Sequence, residues 1–319
     1  MNPIFNFEEA KREQCKASIL IQGLSGRGKS GLALILGHAL AGGDWTKVFD
    51  IDTENKSIQL YTDIDCSAGG TFHGFQIGNF TPDIGYKPSH YLAFRDVAIS
   101  KGAQVVIEDS VSHAWNYKGG VLDILADVKS KSTRYQKDSY AAWGDEAVVK
   151  EKQTLMELFR DNRVHVIATV RVKEKLEYND GKLLSLGDQQ IMQADIKYEP
   201  DLVLEMVKAG KVKNGVASHP VAKVIKSRYA ILTEDETYEF TAELCDQIRQ
   251  YLEEGTSPAE LLEKQRQSYV DGVKEYLDAH QNAVPVWGVL KKDAGYESTP
   301  LNEMPLDVLK KIFSQLTLD

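Results

Sequence analysis

The residues able to do chemistry gather first in GLSGRGKS, residues 23–30, directly after the apolar run SILIQ. The spacing Gly23-x-x-x-x-Gly28-Lys29-Ser30 is that of a phosphate-binding loop, whose glycines let successive backbone N–H groups turn inward around a phosphate with no Cβ in the way. In that chemistry Lys29 bridges the β- and γ-phosphates and the Ser30 hydroxyl ligates Mg²⁺. The positive end of the following helix adds to the pull on the anion. The expected nucleotide-binding set is therefore Gly23, Ser25, Gly26, Arg27, Gly28, Lys29, Ser30 and Gly31.

Hydrolysis needs two further groups, an acid that orders the metal and one that positions water. The apolar run in QVVIEDSVSH ends in Glu108-Asp109, a Walker B pattern. Asp109, at the very end of the run, is expected beside Ser30 as the carboxylate that holds a magnesium-bound water, with Glu108 as the alternative. A second group of carboxylates comes from VFDIDTEN, where Asp50, Asp52 and Glu54 crowd the expected carboxyl end of a strand. In an open α/β fold that end is where ligands sit. Spacing alone does not choose among the three.

These groups need a scaffold, and the chain supplies its signals. ASILIQG has strand length, and KSGLALILGHALAGG has helix length and closes on glycines, so the loop lies in the strand–loop–helix context it requires. Further apolar runs at 47–52, 74–78, 103–109, 164–169, 201–207 and 221–227 alternate with helical periodicity at 29–41, 88–101, 145–162 and 242–254. The alternation predicts an α/β fold, a mainly parallel twisted sheet flanked by helices. Between residues 110 and 145 the pattern weakens, which reads as an inserted or mobile segment at the phosphate-loop end of the sheet. After LEEGTSPAE only helical signals remain. The expected division is a core over residues 1–240 and a small helical C-terminal appendage over 241–319.

Composition bounds the rest. The chain has 319 residues, 42% of them hydrophobic, with a net charge of −9 that as a whole repels nucleic acid. Yet residues 207–228 hold Lys208, Lys211, Lys213, Lys223, Lys226 and Arg228 without an acidic residue, and 129–137 hold Lys129, Lys131, Arg134 and Lys137 without one. Each run alone reads as a solvated surface, whereas two in a nucleotide-hydrolysing scaffold favour a polyanion. Trp115, Tyr117, Tyr135, Tyr140 and Trp143 lie in or beside the second run, where aromatics either stack bases or anchor the loop. His113, four residues after Asp109, reads as a packing residue. Cys15, Cys66 and Cys245 lack metal-ligand spacing and read as free thiols of a reducing compartment. No apolar run is long enough to span a membrane, so a cytoplasmic protein is expected.

The joint order GLSGRGKS, FDIDTEN, VVIEDSVSHAW and VHVIATVRVKEK, over roughly residues 15–235, resembles the core of the RecA-like recombinase ATPases. The likeness extends to the phage-encoded members that assist single-strand annealing and recombination. The resemblance implies ATP and Mg²⁺ as cofactors, single-stranded DNA as partner, and a homo-oligomeric ring or filament, in the host cytoplasm if phage-encoded. It implies Glu54 as the activator of water and Asp109, followed by Ser110, as the Walker B carboxylate. The family places a polar amide after the strand that VHVIAT would form, to sense the γ-phosphate. Here Thr169 or Arg171 would take that role. Lys226 and Arg228 fall where related ATPases offer cations to a neighbouring subunit's nucleotide. Other classes that a phosphate loop serves are a small-molecule kinase and a nucleotide-gated switch; neither has use for a carboxylate aimed at water.

Overall fold

Strand residues point alternately to two faces, and in this chain both faces find a helical layer. The computed structural model describes residues 10–66, 70–80, 83–179, 182–210, 212–213 and 216–317. Its strands are β1 (Ser18–Gly23), β2 (Val48–Asp52), β3 (Gln76–Asn79), β4 (Val105–Asp109), β5 (His165–Asn179), β6 (Lys182–Gln190), β7 (Leu202–Lys208), β8 (Val221–Ser227) and β9 (Thr237–Glu239). The main sheet has the order β9-β8-β7-β1-β5-β4-β2-β3. From β7 to β3 every pairing is parallel, while β8 and β9 join antiparallel at one edge.

The helices of this part are α1 (Lys29–Leu40), α2 (Pro88–Ser100), α3 (Ser112–Asn116), α4 (Val121–Lys131), α5 (Thr133–Lys137), α6 (Glu146–Glu157) and α7 (Ala242–Glu253). Ile19, Ile21 and Ile107 share one buried cluster with Leu32 and Leu36 of α1 and Ile248 of α7. Leu20, Val106 and Val166 share the other with Tyr91, Leu125 and Leu155 of α2, α4 and α6. Alternate residues of the same strands thus feed two cores, the pattern of a sheet covered on both sides. Because the central strands are parallel, their carboxyl ends open on one rim.

Several elements differ from expectation. The run at 164–169 continues to Asn179, and from Val172 it pairs antiparallel with β6 as a long hairpin. Apolar periodicity marks only the part that enters the core, so the charged continuation carried no such signal. Residues 110–145 are largely helical, and α4 turns Val121 and Leu125 into the core. Asp201 precedes β7 and pairs with Arg228 at 2.9 Å, whereas Glu205 within the strand accepts a bond from Gln22. A second sheet of two-residue strands joins Asp65–Cys66 and Gly70–Thr71 to Val212–Lys213 and Val216–Ala217.

The compact unit runs from Cys15 to Leu252, not to 240. Helix α7 belongs to it because Cys245, Ile248 and Leu252 are buried in its core. The other unit comprises the chain from Glu253 onward with residues up to Gln14, whose backbone N–H donates to the Thr256 carbonyl at 3.0 Å. There α8 (Pro258–Ala279) starts on a capping box between Ser257 and Glu260. Its Val270 and Val273 pack with Ile312, Phe313 and Leu316 of the last helix (Leu306–Leu316). Among the described residues no helix is long and apolar enough to cross a membrane.

His165, at the start of β5, accepts the Ala17 N–H through Nδ1 at 2.9 Å and is pushed down to about 3, first by burial and then by Lys16. The unfolded chain therefore takes up this proton first as pH falls below the ordinary 6.5, so the stability is complete above that value and is lost towards about 3. Denaturant titrations should show the parent losing about 4 kcal/mol relative to His165→Asn across this window. Parallel curves for the two proteins would mean that the imidazole does not titrate in this way.

Candidate functional site

The loop after β1 depends on a glycine where it turns. Gly28 has a φ of 86° and caps α1, and a Cβ there would lie 3.1 Å from the Ala209 Cα. Neither the conformation nor the space admits a side chain without strain. Helix α1 begins at Lys29, so its unpaired N–H groups face the loop, an arrangement suited to anions. The Lys29 ammonium donates to the carbonyls of Gly23 at 2.9 Å and Leu24 at 3.1 Å. Burial draws its pKa down, against the pull of Asp109 and Glu54.

Asp109 closes the site from the neighbouring strands. Ser30 Oγ donates to its Oδ2, and Thr169 Oγ1 donates to its Oδ1. Burial raises its pKa and the two hydroxyls oppose the rise. Glu108 points to the opposite face of the sheet, where it pairs with Arg95 at 2.5 Å, both side chains being fully buried. The strand pleat thus separates two adjacent carboxylates that the sequence left as alternatives.

The three carboxylates of the β2 segment also take different places. Asp50 is buried with no hydrogen-bond partner among the described residues. Burial, with Asp109 and Asp52 nearby, holds its pKa well above the usual carboxylate range. Asp52 supports the turn by accepting the Glu54 N–H at 2.7 Å. Only Glu54 lines the cavity. Its Oε1 accepts Arg171 Nε at 2.6 Å and Ser110 Oγ at 3.0 Å, and its Oε2 accepts the Arg171 Nη2. Burial works upward on Glu54, but Arg171 and Ser110 outweigh it and hold the carboxyl below its ordinary value.

Behind these groups lies a buried polar network. Thr53 Oγ1 donates to the Ser110 carbonyl at 3.1 Å and accepts the Ser110 N–H and the His113 Nδ1–H, each at 2.7 Å. Tyr91 donates to the same carbonyl at 3.0 Å. His113, its pKa lowered first by burial, serves here as a support for the ends of β2 and β4.

The cavity has a volume of about 490 Å³, within the range of about 300–1,000 Å³ usual for small-molecule sites. Lys29, Ser30, Glu54, Asp109 and Arg171 line it together with the apolar side chains of Leu60, Tyr61 and Ile64. Tyr61 lies close enough that a Cβ on Gly31 would be 3.1 Å from its ring. Sequence reasoning missed these apolar residues, although SIQLY, one residue after DTEN, was their signal. It also missed Thr53 and gave Ser110 no contact of its own.

Of the remaining expected residues, some line the cavity and others do not. Ser25 and Gly26 line the cavity, while the Arg27 guanidinium donates to the Val207 carbonyl at 3.3 Å. Lys226 and Arg228 lie at the opposite end of the sheet from the loop, since Ser227 pairs with Leu202 at the start of β7. Lys226 donates to the carbonyls of Tyr198 at 2.7 Å and Pro200 at 2.5 Å, and Arg228 pairs with Asp201. They are not brought to the cavity within this chain. Trp115 and Trp143 stack on each other at 6.2 Å, leaving Tyr140 as the most open aromatic of the segment at 83% exposure.

A scan against protein-family models and a search of curated proteins both found no match. Among the described residues no group of three or more His, Cys, Asp and Glu side chains could hold a metal. A hydroxyl and one carboxylate, Ser30 and Asp109, are the donors beside the loop. Such a sparse oxygen set suits Mg²⁺ that keeps waters and takes its other ligands from phosphates.

Lys29→Ala is expected to abolish nucleotide binding. Asp109→Asn should remove the gain in affinity that Mg²⁺ confers, about tenfold or more, while Glu108→Gln keeps that gain despite a less stable core. Calorimetric titration with and without Mg²⁺ measures both; Mg²⁺ dependence surviving in Asp109→Asn and vanishing in Glu108→Gln would reverse the assignment.

Proposed function

We propose that this chain is a RecA-like ATPase that hydrolyses ATP with Mg²⁺, binds single-stranded DNA, and couples its nucleotide state to annealing or strand exchange as a homo-oligomeric ring or filament. The observation that carries the reading is that the Glu54 carboxylate lines the same cavity as the phosphate loop, where Ser30 is joined to Asp109. A carboxylate placed there has a use in water activation and none in binding a triphosphate, which it repels. Tyr61 in the same lining offers a flat surface for a base.

In this reading the amides at the start of α1 and Lys29 hold the phosphates and draw off the charge that develops on them. Bound Mg²⁺ would be held by Ser30 and Asp109 and would neutralise the phosphate oxygens. Glu54 takes a proton from the attacking water, and Thr169 keeps Asp109 oriented. The strand order supports the scheme, because β5 lies between β1 and β4 and sets Thr169 beside Asp109 on the common rim.

The DNA part of the reading rests on the resemblance and on the cations of α4 and α5. Lys129, Arg134 and Lys137 precede the exposed Tyr140 in one segment of the chain, a composition that suits phosphates and stacked bases. Of the other basic run, Lys223 is engaged by Asp235 at 2.7 Å. The side chains of Lys211 and Lys213 lie outside the described residues.

Glu54→Gln is expected to keep ATP binding and lose hydrolysis by about a hundredfold or more. If Asp52→Asn behaved so while Glu54→Gln stayed active, the assignment of the water-activating group would fall. ATPase rates with and without single-stranded DNA, together with particle mass with and without ATP, test the larger reading. Stimulation by DNA and a nucleotide-dependent rise in mass are expected. Replacing Lys129, Arg134 and Lys137 with glutamine should weaken DNA binding at every sequence and flatten its log–log salt slope, by about 0.7 for each phosphate no longer neutralised. ATP turnover with no DNA binding by the parent would favour the kinase or switch classes.

A further inference from the structure

We propose that Arg171 is a latch on Glu54 that the γ-phosphate opens: the guanidinium exchanges the carboxylate for the phosphate, and the same exchange frees Glu54 to receive a proton from water. The inference deepens the hydrolysis reading of this cavity and rests on it.

The geometry describes a carboxylate that is already fully employed. Arg171 grips both oxygens of Glu54 through Nε and Nη2, and Ser110 adds a third donor on Oε1. A fork–fork pair of this kind directs the lone pairs at the guanidinium, leaving little for a water. Arg171 lines the same cavity as Lys29 and Ser30, so an arriving triphosphate meets it. Its side chain is 39% exposed against 19% for Glu54, and it is the partner with room to turn. A terminal phosphate carries more charge than a carboxylate and accepts the same bidentate fork, so it competes on equal geometry with stronger attraction. ADP lacks that group and leaves the pair closed.

The backbone of Arg171 sits at a junction. It is the last residue of β5 in parallel register with β1, opposite Gly23, and from Val172 the strand pairs with β6 as a hairpin. The Arg171 N–H donates to Ser112 Oγ at 2.9 Å, and its carbonyl accepts the Ile191 N–H at 2.8 Å. The main chain is held while the side chain is left to choose between two anions. That makes it a positioning residue for Glu54 before it touches substrate.

A double-mutant cycle tests the exchange through binding alone. Affinities for ADP and for the non-hydrolysable analogue AMP-PNP are measured for the parent, Glu54→Gln, Arg171→Gln and the double variant. An amide no longer competes for the guanidinium, so Glu54→Gln should bind AMP-PNP about tenfold tighter with ADP affinity unchanged. In the Arg171→Gln background the same substitution should bring no such gain. Equal gains in both backgrounds would reduce the effect to simple repulsion by Glu54 and overturn the exchange, as would no gain in either. Thermal unfolding of each variant is the check of folding. Should a glutamine variant fail it, Glu54→Asp and Arg171→Lys, which break the bidentate fit while keeping the charges, carry the same cycle. Failure of the parent to bind either nucleotide would remove the hydrolysis reading and this inference with it.

Discussion

The carboxylate of Asp109 is the point on which the site depends. It accepts Ser30 from the first turn of α1 and Thr169 from β5, and it stands at the end of β4. One buried carboxyl group thus ties the helix after the phosphate loop to two strands of the sheet. Its desolvation is costly, and the two hydroxyl donors offset that cost. The order of the sheet fits this arrangement: β5 lies between β1 and β4 and brings Thr169 to Asp109.

The rest of the buried polar structure positions this group and Glu54. Arg95 passes beneath the sheet to Glu108 and to the Leu158 carbonyl at 2.8 Å, fixing β4 from its far face against α2 and the end of α6. Thr53, Ser110, His113 and Tyr91 lock the ends of β2 and β4 in mutual register. A fully buried ion pair is weak evidence of stability, because desolvation cancels most of its attraction. Here its use is geometric. Moving Glu108 would move Asp109, its neighbour in the strand.

Much of this was legible in the residues, for identifiable reasons. The α/β architecture with a mostly parallel sheet followed from apolar runs that are buried on both faces and so lack polar interruption. Lys29, Ser30 and Asp109 are candidates by type and spacing, Glu54, Thr169 and Arg171 by what the resemblance implies, and all converge on one rim. Choices that depend on which face a side chain takes were not legible. Glu108 against Asp109, and Asp50 against Asp52 and Glu54, are separated only by pleat and by a turn. The hairpin of β5 and β6 escapes notice in the sequence because it continues beyond the core, where apolar periodicity no longer reports on a strand. The expected core ends too early because α7 is amphipathic and resembles the helices after it, yet its apolar side packs on the sheet. Lys226 and Arg228 are matched by likeness in sequence order, which does not show that β8 runs antiparallel and carries them away from the loop.

The close approach of Gly28 to Ala209 bears on how the protein matures. The phosphate loop lies near the start of the chain, but its cradle is bounded by backbone from the far end of the core unit, and Ser218 and Pro220 complete the cavity wall. Contacts between such distant segments require a long loop to close, which slows folding. A chain emerging from the ribosome therefore carries an intact loop motif with no finished pocket until β7 and the segment after it have been made. When Pro220 has been made, β8, β9 and α7 of this unit are still to follow.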